Sequence, residues 1–306
     1  MNRPQRPRPE QVQSIASVVV AYQPDAGLME NLRRILVQNS RIIIVDNGSA
    51  GDAAEIVAQA AKLPGVHVIL NQSNLGIAAA LNIGVRHALQ AGCEWIATFD
   101  QDSTVPDHYF EGLIHAYQAC PELNKVGMIA PGAWREPDTT GDKPLPSDQS
   151  WSYVPAALTS GCLIKPEMFE VVGFFDDDLF IDYVDVEFCL RLQKGGFKIL
   201  AASVVELGHE LGEKQTRKCF GFQVSFRIHN AWRYYYIMRN RLVLFRLYYA
   251  DSPRWIWHDI SWMPLELGRI LCLEQGRWPK MMAACRGIAD GLLGRKGRHP
   301  DFPPKK

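Results

Sequence analysis

The sequence has 306 residues, of which 47% are hydrophobic and 22% charged, and its acidic and basic side chains balance. This length and composition suit one large α/β domain with a smaller appendage and exclude a mainly disordered chain. The sequence contains neither a run of 18 apolar residues nor, in its Arg- and Pro-rich start, the apolar core of a secretory signal. Seven cysteines without a CxxC pair argue against a zinc ribbon or a disulfide framework, so we expect a cytoplasmic protein.

The first half alternates short β-branched runs with helical patterns. We predict strands over 14–22, 41–46, 66–70, 94–100 and 126–131, and helices over 28–38, 52–62, 74–90 and 107–119. This βαβα order predicts a largely parallel sheet covered on both faces. Ligands of such sheets bind at the carboxyl ends of the strands, so polar residues that follow a strand are candidates for the site.

The second half continues this pattern and then becomes helical. After a loop over 134–152, we predict strands over 159–165 and 197–204 and helices over 166–172 and 182–194. From about residue 225 onwards the pattern is helical. We therefore expect a disordered N-terminal arm (1–13), a catalytic α/β domain (14–228) and a helical, basic C-terminal segment (229–306).

Charge is unevenly distributed along the chain. Residues 1–204 carry 15 basic and 24 acidic side chains, whereas residues 205–306 carry 18 basic and 9 acidic ones and five of the eight tryptophans. Basic residues interleaved with Trp favour a membrane surface over nucleic acid as the partner. We expect the C-terminal helices to be either a peripheral platform where a lipid-linked acceptor is met, or a pair packed on the catalytic domain or on a second copy.

The fourth predicted strand ends in two carboxylates, in the sequence ATFDQDS. Asp100 and Asp102, with Gln101 between them, point the same way if the segment is extended, so both can face one ligand. Two hard oxygen donors at a strand end suit Mg²⁺ or Mn²⁺ bound to a pyrophosphate. The alternative is a solvated turn, because Asp and Ser are common where strands end.

Polar residues also follow the earlier strands. Tyr22 follows the first strand, and Asp46 in DNGS follows the second, where it either forms a turn or accepts a hydrogen bond from a pyrimidine imide. Asn74 is a predicted N-cap of the next helix, and Gly76 allows close approach by a ligand or a strand. Neither GxGxxG nor GxxxxGK[ST] occurs, so dinucleotide and P-loop fingerprints are absent.

Four later residues complete the candidates. Asp182 and Asp185 either cap a helix or, in the case of Asp185, place a general base on its first turn. His209, in a Gly-flanked loop, is either structural or a ligand for Mn²⁺. Arg239 belongs either to a packed aromatic helix or to a diphosphate site, where it would pair with the departing leaving group.

Taken in chain order, these segments resemble family 2 glycosyltransferases of the GT-A fold. The motifs are VVVAYQPD, IIIVDNGS, NLGIAAALNIG, FDQDS and SGCLIKPEMFEVVGFFDDDLFIDYVDVEFCLRL, followed by His209. The match runs in order from Val18 to about Asn240, which is about 220 residues. The forms FIDYVD and RYYYIMRN are most similar to bacterial L-rhamnosyltransferases of surface polysaccharide and rhamnolipid synthesis.

The resemblance implies an inverting transferase that uses a nucleotide sugar, dTDP-L-rhamnose, and transfers its sugar to a glycan or lipid-linked acceptor. It implies that Asp46 contacts the pyrimidine, that Asp100 contacts the base or sugar, and that Asp102 and His209 bind the metal. Asp185 matches the aspartate of the family's Glu-Asp base motif. Val184 replaces the usual glutamate there, so Asp182 becomes a candidate contact for the acceptor hydroxyl.

Three other functions were considered. A non-catalytic module that binds a nucleotide sugar or a glycan would not need Asp102, Asp185 and His209 together. A nucleotidyltransferase would carry a Gly-rich, basic loop after the first strand, which Tyr22 and its neighbours do not form. The third alternative is a transferase of the same fold with another nucleotide-sugar donor.

Overall fold

The computed structural model describes residues 14–135, 150–208, 214–219 and 222–303. The predicted N-terminal arm (1–13) and the candidate metal ligand His209 lie outside these residues. The first elements are β1 (Ile15–Ala21), α1 (Gly27–Gln38), β2 (Ile42–Asp46), α2 (Asp52–Ala60), β3 (Val66–Leu70), α3 (Ile77–Gln90), β4 (Trp95–Asp100) and α4 (Tyr109–Gln118).

The second half adds the rest of the sheet and a helical end. Its central elements are β5 (Val126–Arg135), β6 (Trp151–Val154), β7 (Cys162–Ile164), α5 (Pro166–Val171), α6 (Val184–Lys194) and β8 (Lys198–Gly208). Its last elements are β9 (Lys214–Cys219), β10 (Phe222–Arg227), α7 (Ala231–Tyr248), α8 (Pro253–Leu273) and α9 (Arg277–Leu292).

Eight strands form one sheet in the order β3-β2-β1-β4-β7-β5-β8-β6. Strands β1 to β4 pair in parallel, as do β5 and β8, so the predicted largely parallel sheet is confirmed. Strands β6 and β7 are antiparallel to their neighbours, and β6 lies at an edge. The strand order changes direction between β1 and β4. A change of this kind opens a crevice at the carboxyl ends of the strands.

Helices cover both faces of the sheet, as its strands require. Alternate residues of a strand point to opposite faces, so Val18 and Ile43 enter one apolar cluster with α3 and α6. Val19 and Ile44 enter the other, with α1 and α4. Burying each such side chain contributes about 1.5–3 kcal/mol, so these clusters fix the sheet that carries the strand ends.

The predicted helical C-terminal region is confirmed. Helix α7 is buried along most of its length between the sheet domain and α8 and α9. Tyr234 and Met238 pack with Ile270 of α8 and Ala284 of α9 in one apolar cluster. This packing is why α7 shows little amphipathic pattern, and it brings the start of α7 to the carboxyl ends of the strands.

Candidate active site

A cavity of about 860 Å³ opens at the carboxyl ends of β1 and β4, beside the starts of α6 and α7. Eight residues predicted for the site line it: Tyr22, Asn74, Gly76, Asp100, Gln101, Asp102, Asp182 and Asp185. The structure thus brings together side chains that are up to 163 positions apart, between Tyr22 and Asp185. Asp46 and Arg239 do not line this cavity.

The segment of the two strand-end carboxylates is tied down through Gln101. Its side-chain oxygen accepts a hydrogen bond from the Tyr22 amide at 2.7 Å, and its carbonyl accepts one from the Asn31 side chain at 3.0 Å. The Asp100 amide donates to the Ser160 hydroxyl at 3.2 Å. These contacts hold Asp100 and Asp102 at the wall of the cavity, which is where the sequence placed them.

Asn47, which the sequence analysis did not single out, organises the opposite wall. Its buried amide nitrogen donates to the Asn74 side chain and to the Gly76 carbonyl, both at 3.1 Å. Its oxygen accepts hydrogen bonds from the Leu75 amide at 3.0 Å and from the Asn71 side chain at 3.1 Å. A buried amide with all its hydrogen bonds made fixes this loop, which the turn sequence DNGS alone did not indicate.

Asp46 has a turn-forming role in the structure. The side chain is buried, and it accepts hydrogen bonds from the amide and hydroxyl of Ser49. Of the two interpretations of DNGS, the structure thus shows the turn, and Asn47 is the residue that faces the cavity. The predicted cap at Asn74 is also displaced: α3 begins at Ile77, and the Asn74 side chain accepts from the Gly76 amide within the preceding loop.

Gly76 makes the close approach that its sequence context predicts, and Phe180 is the partner. The φ angle of Gly76 is +91°, and a Cβ there would lie 2.5 Å from the Phe180 carbonyl oxygen. The same oxygen accepts a hydrogen bond from the Ile77 amide at 2.7 Å. The contact joins the Asn47 wall to the loop that carries Asp182.

That loop, residues 178–183, is held in a strained conformation. Phe180, Asp182 and Tyr183 have φ angles of +66°, +60° and +65°. The Ile181 amide donates to the Leu179 carbonyl at 2.8 Å, which closes a γ-turn around Phe180. Each such backbone conformation costs on the order of 1–3 kcal/mol and persists only where the surroundings enforce it.

Two buried side chains of α7 enforce the loop. The Asn240 amide nitrogen lies 2.8–3.0 Å from the carbonyl oxygens of Leu179, Ile181 and Asp182. The Arg239 guanidinium donates to the carbonyls of Leu179, Asp178 and Gly297, and its charge also lies over the ring of Tyr236. Arg239 therefore supports the loop from behind, and the prediction that it faces the cavity is wrong, because the loop backbone occupies its donors.

Arg233, one and a half turns earlier on α7, is the arginine that lines the cavity. Its guanidinium contacts the Asp182 carboxylate through two nitrogens at 2.8 and 3.0 Å. Of the alternatives for Asp182, a helix cap is wrong, since Tyr183 precedes the first residue of α6 and Asp182 pairs with Arg233 instead. This ion pair holds the charged Asp182 carboxylate beside Asp185.

Asp185 lies on the first turn of α6, where it accepts a hydrogen bond from the Val186 amide at 2.8 Å. Burial raises the pKa of its carboxyl to about 6, against the opposing effect of that hydrogen bond, and the negative charges of Asp182 and Asp100 raise the pKa further. A carboxyl with a pKa near the working pH is suited to exchanging a proton with a substrate.

Aromatic and histidine side chains close the remaining wall. Trp232 and Trp255 line the cavity, and so does His229, whose pKa is lowered to about 4 by burial and by the charge of Arg233. Tyr183 is fixed by Asp259, which accepts from its hydroxyl at 3.0 Å. The sequence signal for these residues was only the aromatic composition of the region, which does not say which rings face the cavity.

The carboxylates fit a divalent cation by their chemistry. Asp100 and Asp102 supply oxygen donors at one wall of a polar cavity, which is the ligand type that Mg²⁺ and Mn²⁺ prefer. His209, the second predicted ligand, lies outside the described residues. The donor set within the described part of the chain is therefore compatible with the metal.

Solved structures with this architecture identify the fold. The chain matches a crystal structure of GalNAc-T7 with UDP, GalNAc and Mn²⁺ at a TM-score of 0.60 and 14% identity, over 93% of this chain and 56% of that one. It also matches the mannosyltransferase PcManGT of Pyrobaculum calidifontis in complex with GDP-Man and Mn²⁺, with a TM-score of 0.52, 16% identity and coverage of 92% and 87%. The fold is that of the GT-A glycosyltransferases, as predicted.

The family follows from the sequence comparisons. The model of glycosyl transferase family 2 matches residues 17–138. The dTDP-rhamnosyl transferase RfbF of Shigella flexneri is 30% identical over 302 residues, which cover 93% of this chain and 97% of that protein. The chain belongs to glycosyl transferase family 2, and its predicted resemblance to bacterial rhamnosyltransferases is confirmed.

Proposed function

We propose that the protein transfers L-rhamnose from dTDP-L-rhamnose to a hydroxyl of a cell-surface glycan or glycolipid, with inversion at the anomeric carbon. The observation that carries the reaction type is the cavity itself, where two strand-end carboxylates and the half-buried Asp185 meet. The donor is supported by the similarity to RfbF, which extends over nearly the whole of both chains.

Asp185 is the general base in this proposal. Its carboxylate accepts the proton of the acceptor hydroxyl while that oxygen bonds to the anomeric carbon, and the bond to the diphosphate oxygen breaks on the opposite face. The raised pKa makes Asp185 a better base than an exposed carboxylate and still leaves it mainly ionised at pH 7. Such base catalysis is worth about 10²–10⁴-fold in rate.

The remaining residues bind and orient the donor and the acceptor. Asp102, together with His209, would hold Mg²⁺ or Mn²⁺, and the bound cation would neutralise charge on the diphosphate. Five further residues line the cavity and would contact the donor: Tyr22, Asn74, Gly76, Asp100 and Gln101. Asp182 orients the acceptor hydroxyl next to Asp185, and Arg233 holds Asp182 in place through their ion pair.

The metal assignment is tested by calorimetry. We expect Asp102→Ala to remove the increase in dTDP affinity that Mn²⁺ gives the unchanged protein, because the variant loses a carboxylate ligand. Asp107→Asn, which changes an exposed carboxylate five positions after Asp102, serves as the control. Equal enhancement by Mn²⁺ in the Asp102 variant and the control would contradict the assignment.

The donor is tested by hydrolysis of a panel of nucleotide sugars with Mn²⁺ or Mg²⁺: dTDP-rhamnose, dTDP-glucose, UDP-glucose, UDP-GlcNAc and GDP-mannose. We expect metal-dependent release of dTDP from dTDP-rhamnose alone. Preference for a UDP or GDP sugar would replace the donor and keep the transferase. If the protein hydrolyses none of these donors and binds none of them, the result would favour the non-catalytic module.

The base is tested with Asp185→Asn in the same assay and with an acceptor. We expect transfer to fall by about 10²–10⁴-fold, while dTDP binding stays unchanged, because the amide keeps the shape and loses the basicity. Weakened dTDP binding in a folded Asp185→Asn protein would instead place this residue in the donor site.

A further inference from the structure

Helices α8 and α9 expose large apolar side chains on their solvent side, at whose margin the ring of Trp257 also packs edge-on against Phe245 of α7. Trp257, Trp262 and Trp278 are 60%, 54% and 66% exposed. Leu265 and Met282, which follow Trp262 and Trp278 by about one helical turn, are also exposed. Single exposed apolar residues are ordinary, but three exposed tryptophans on two consecutive helices are not. We call the three tryptophans with Leu265, Arg254 and Arg277 the tryptophan face.

Acidic side chains of α8 and α9 lie on the interior side of these helices, and two arginines lie on the solvent side. All four acidic residues from 253 to 292 face the interior, where they contact Arg241, Arg269, Tyr234, Tyr235 or Lys280: Asp259, Glu266, Glu274 and Asp290. Arg254 and Arg277 are exposed, and neither forms an ion pair with a residue in the described part of the chain. The outer side therefore presents positive charge and aromatic rings.

The tryptophan face adjoins the candidate active site through α8. Trp255 and Asp259 of this helix line the cavity, whereas Trp257 is exposed. Residues two positions apart on a helix point to nearly opposite sides, because each residue turns the helix by about 100°. One helix thus supplies a wall of the cavity and part of the exposed face.

We propose that the tryptophan face docks on an anionic lipid bilayer. Tryptophan is favoured at the interface between lipid and water, and exposed arginines pair with anionic headgroups. A second copy of the chain would bring the same positive charges against these arginines, so charge complementarity favours the bilayer over a dimer. None of the described helices combines the length and apolarity needed to cross a membrane, so the contact is interfacial.

The role of this docking, which is to bring the active site to an acceptor at the lipid surface, rests on the proposed function. The docking itself does not. It is tested by sedimentation with vesicles of phosphatidylcholine alone and of phosphatidylcholine mixed with phosphatidylglycerol, without donor or acceptor. We expect binding to the mixed vesicles only, and weaker binding as salt is added. Failure to bind would overturn the docking and leave the transferase assay unaffected.

Two variants assign the contact to this face. Arg254→Glu with Arg277→Glu is expected to lower the partition coefficient by at least about 30-fold, since each basic residue near an anionic surface contributes about fivefold. The control, Arg33→Glu with Lys62→Glu, reverses two exposed charges on the sheet domain and is expected to change binding little. Equal losses in both double variants would show nonspecific attraction and overturn the assignment.

Trp257→Ser with Trp278→Ser tests the apolar part of the contact. We expect weaker vesicle binding with unchanged donor hydrolysis and unchanged sedimentation velocity, because both side chains are largely exposed in the single chain. A dimer in the unchanged protein that this variant dissociates, with vesicle binding retained, would make the face an interface between two copies and overturn the proposal.

Discussion

At the scale of single residues, the reactive behaviour of Asp185 depends on two neighbours of opposite charge. Asp182 raises the pKa of Asp185, and the charge of Asp185 in turn stabilises protonated Arg233. By reciprocity Arg233 lowers the pKa of Asp185. The ion pair between Asp182 and Arg233 keeps these two effects in balance.

These two effects predict that substitutions of Asp182 and of Arg233 shift the pH profile of kcat/KM in opposite directions. Asp185 must be ionised to act as the proposed general base, so kcat/KM is expected to rise with pH through about 6 in the unchanged protein. Asp182→Asn removes a negative charge and leaves Arg233 unpaired, so the rise moves to lower pH. Arg233→Gln removes the positive charge, so the rise moves to higher pH. Shifts of both variants in the same direction would contradict this coupling.

A second prediction concerns Gly76 and its contact with Phe180. Gly76→Ala is expected to lower the free energy of unfolding by about 1–3 kcal/mol more than Gly51→Ala, because the added Cβ meets the Phe180 carbonyl. Gly51 also has a positive φ, +61°, but its Cβ would meet nothing within 4 Å. Urea unfolding of the two variants separates backbone strain from the clash. Equal losses of unfolding free energy would show that the loop around Phe180 moves aside at no cost.

At the scale of elements, the loop 178–183 is shaped by α7 rather than by its own sequence. Asn240 and Arg239 donate to its carbonyls from the buried side of that helix. These donors offset the cost of positive φ angles at three non-glycine residues among the four from 180 to 183. The position of Asp182, and with it the ion pair to Arg233, is therefore a product of packing between distant segments.

This dependence predicts a specific loss of turnover. Arg239→Lys is expected to lower kcat at least about tenfold and to change the donor KM little, because the loop relaxes while the Asn47 wall stays in place. Arg246→Lys is the matched control, since Arg246 lies on the same helix and donates to the Leu292 carbonyl, away from the loop. Equal effects of the two substitutions on kcat would show that Arg239 acts only through general stability.

The sequence predicts the elements of this fold well where burial leaves a pattern. The strands up to β4 and the helices between them lie within a few residues of their predicted bounds, because parallel strands are continuous apolar runs. Strand β6 and the hairpin of β9 and β10 are missed, since a four-residue edge strand and a polar hairpin carry little apolar periodicity. The prediction of a diphosphate contact for Arg239 fails because α7 is buried on nearly all sides, so its sequence does not show which side chains reach the cavity.

At the scale of the whole molecule, the C-terminal tail, residues 295–303, crosses back to the active site. The Gly297 amide donates to the Asp178 carbonyl at 2.6 Å, and Lys296 pairs with Asp176 at 2.7 Å. The ring of Phe302 stacks on Tyr235 of α7 at 4.5 Å between centroids. The last part of the described chain thus covers the strained loop from outside while α7 supports it from within.

One residue of the tail extends this coupling to the donor wall. Arg298 donates to the Asn74 carbonyl at 3.2 Å and lies over the ring of Phe180, both of which line the cavity. We expect Arg298→Ala to raise the donor KM by up to about fivefold, because an exposed charged hydrogen bond contributes about 1 kcal/mol or less and the wall it steadies is the proposed donor contact.

Arg295→Ala is the matched control for that measurement. Arg295 lies in the same tail and is exposed, but it pairs with Asp290 at the end of α9 and does not reach the cavity wall. Steady-state kinetics of donor hydrolysis by both variants compare the two arginines at equal loss of charge. An unchanged donor KM in Arg298→Ala would confine the tail to a structural role. A rise in that variant alone would make the C-terminal tail a part of the donor site, because Arg298 is the tail residue that, within the described part of the chain, contacts the wall that Asn47 organises.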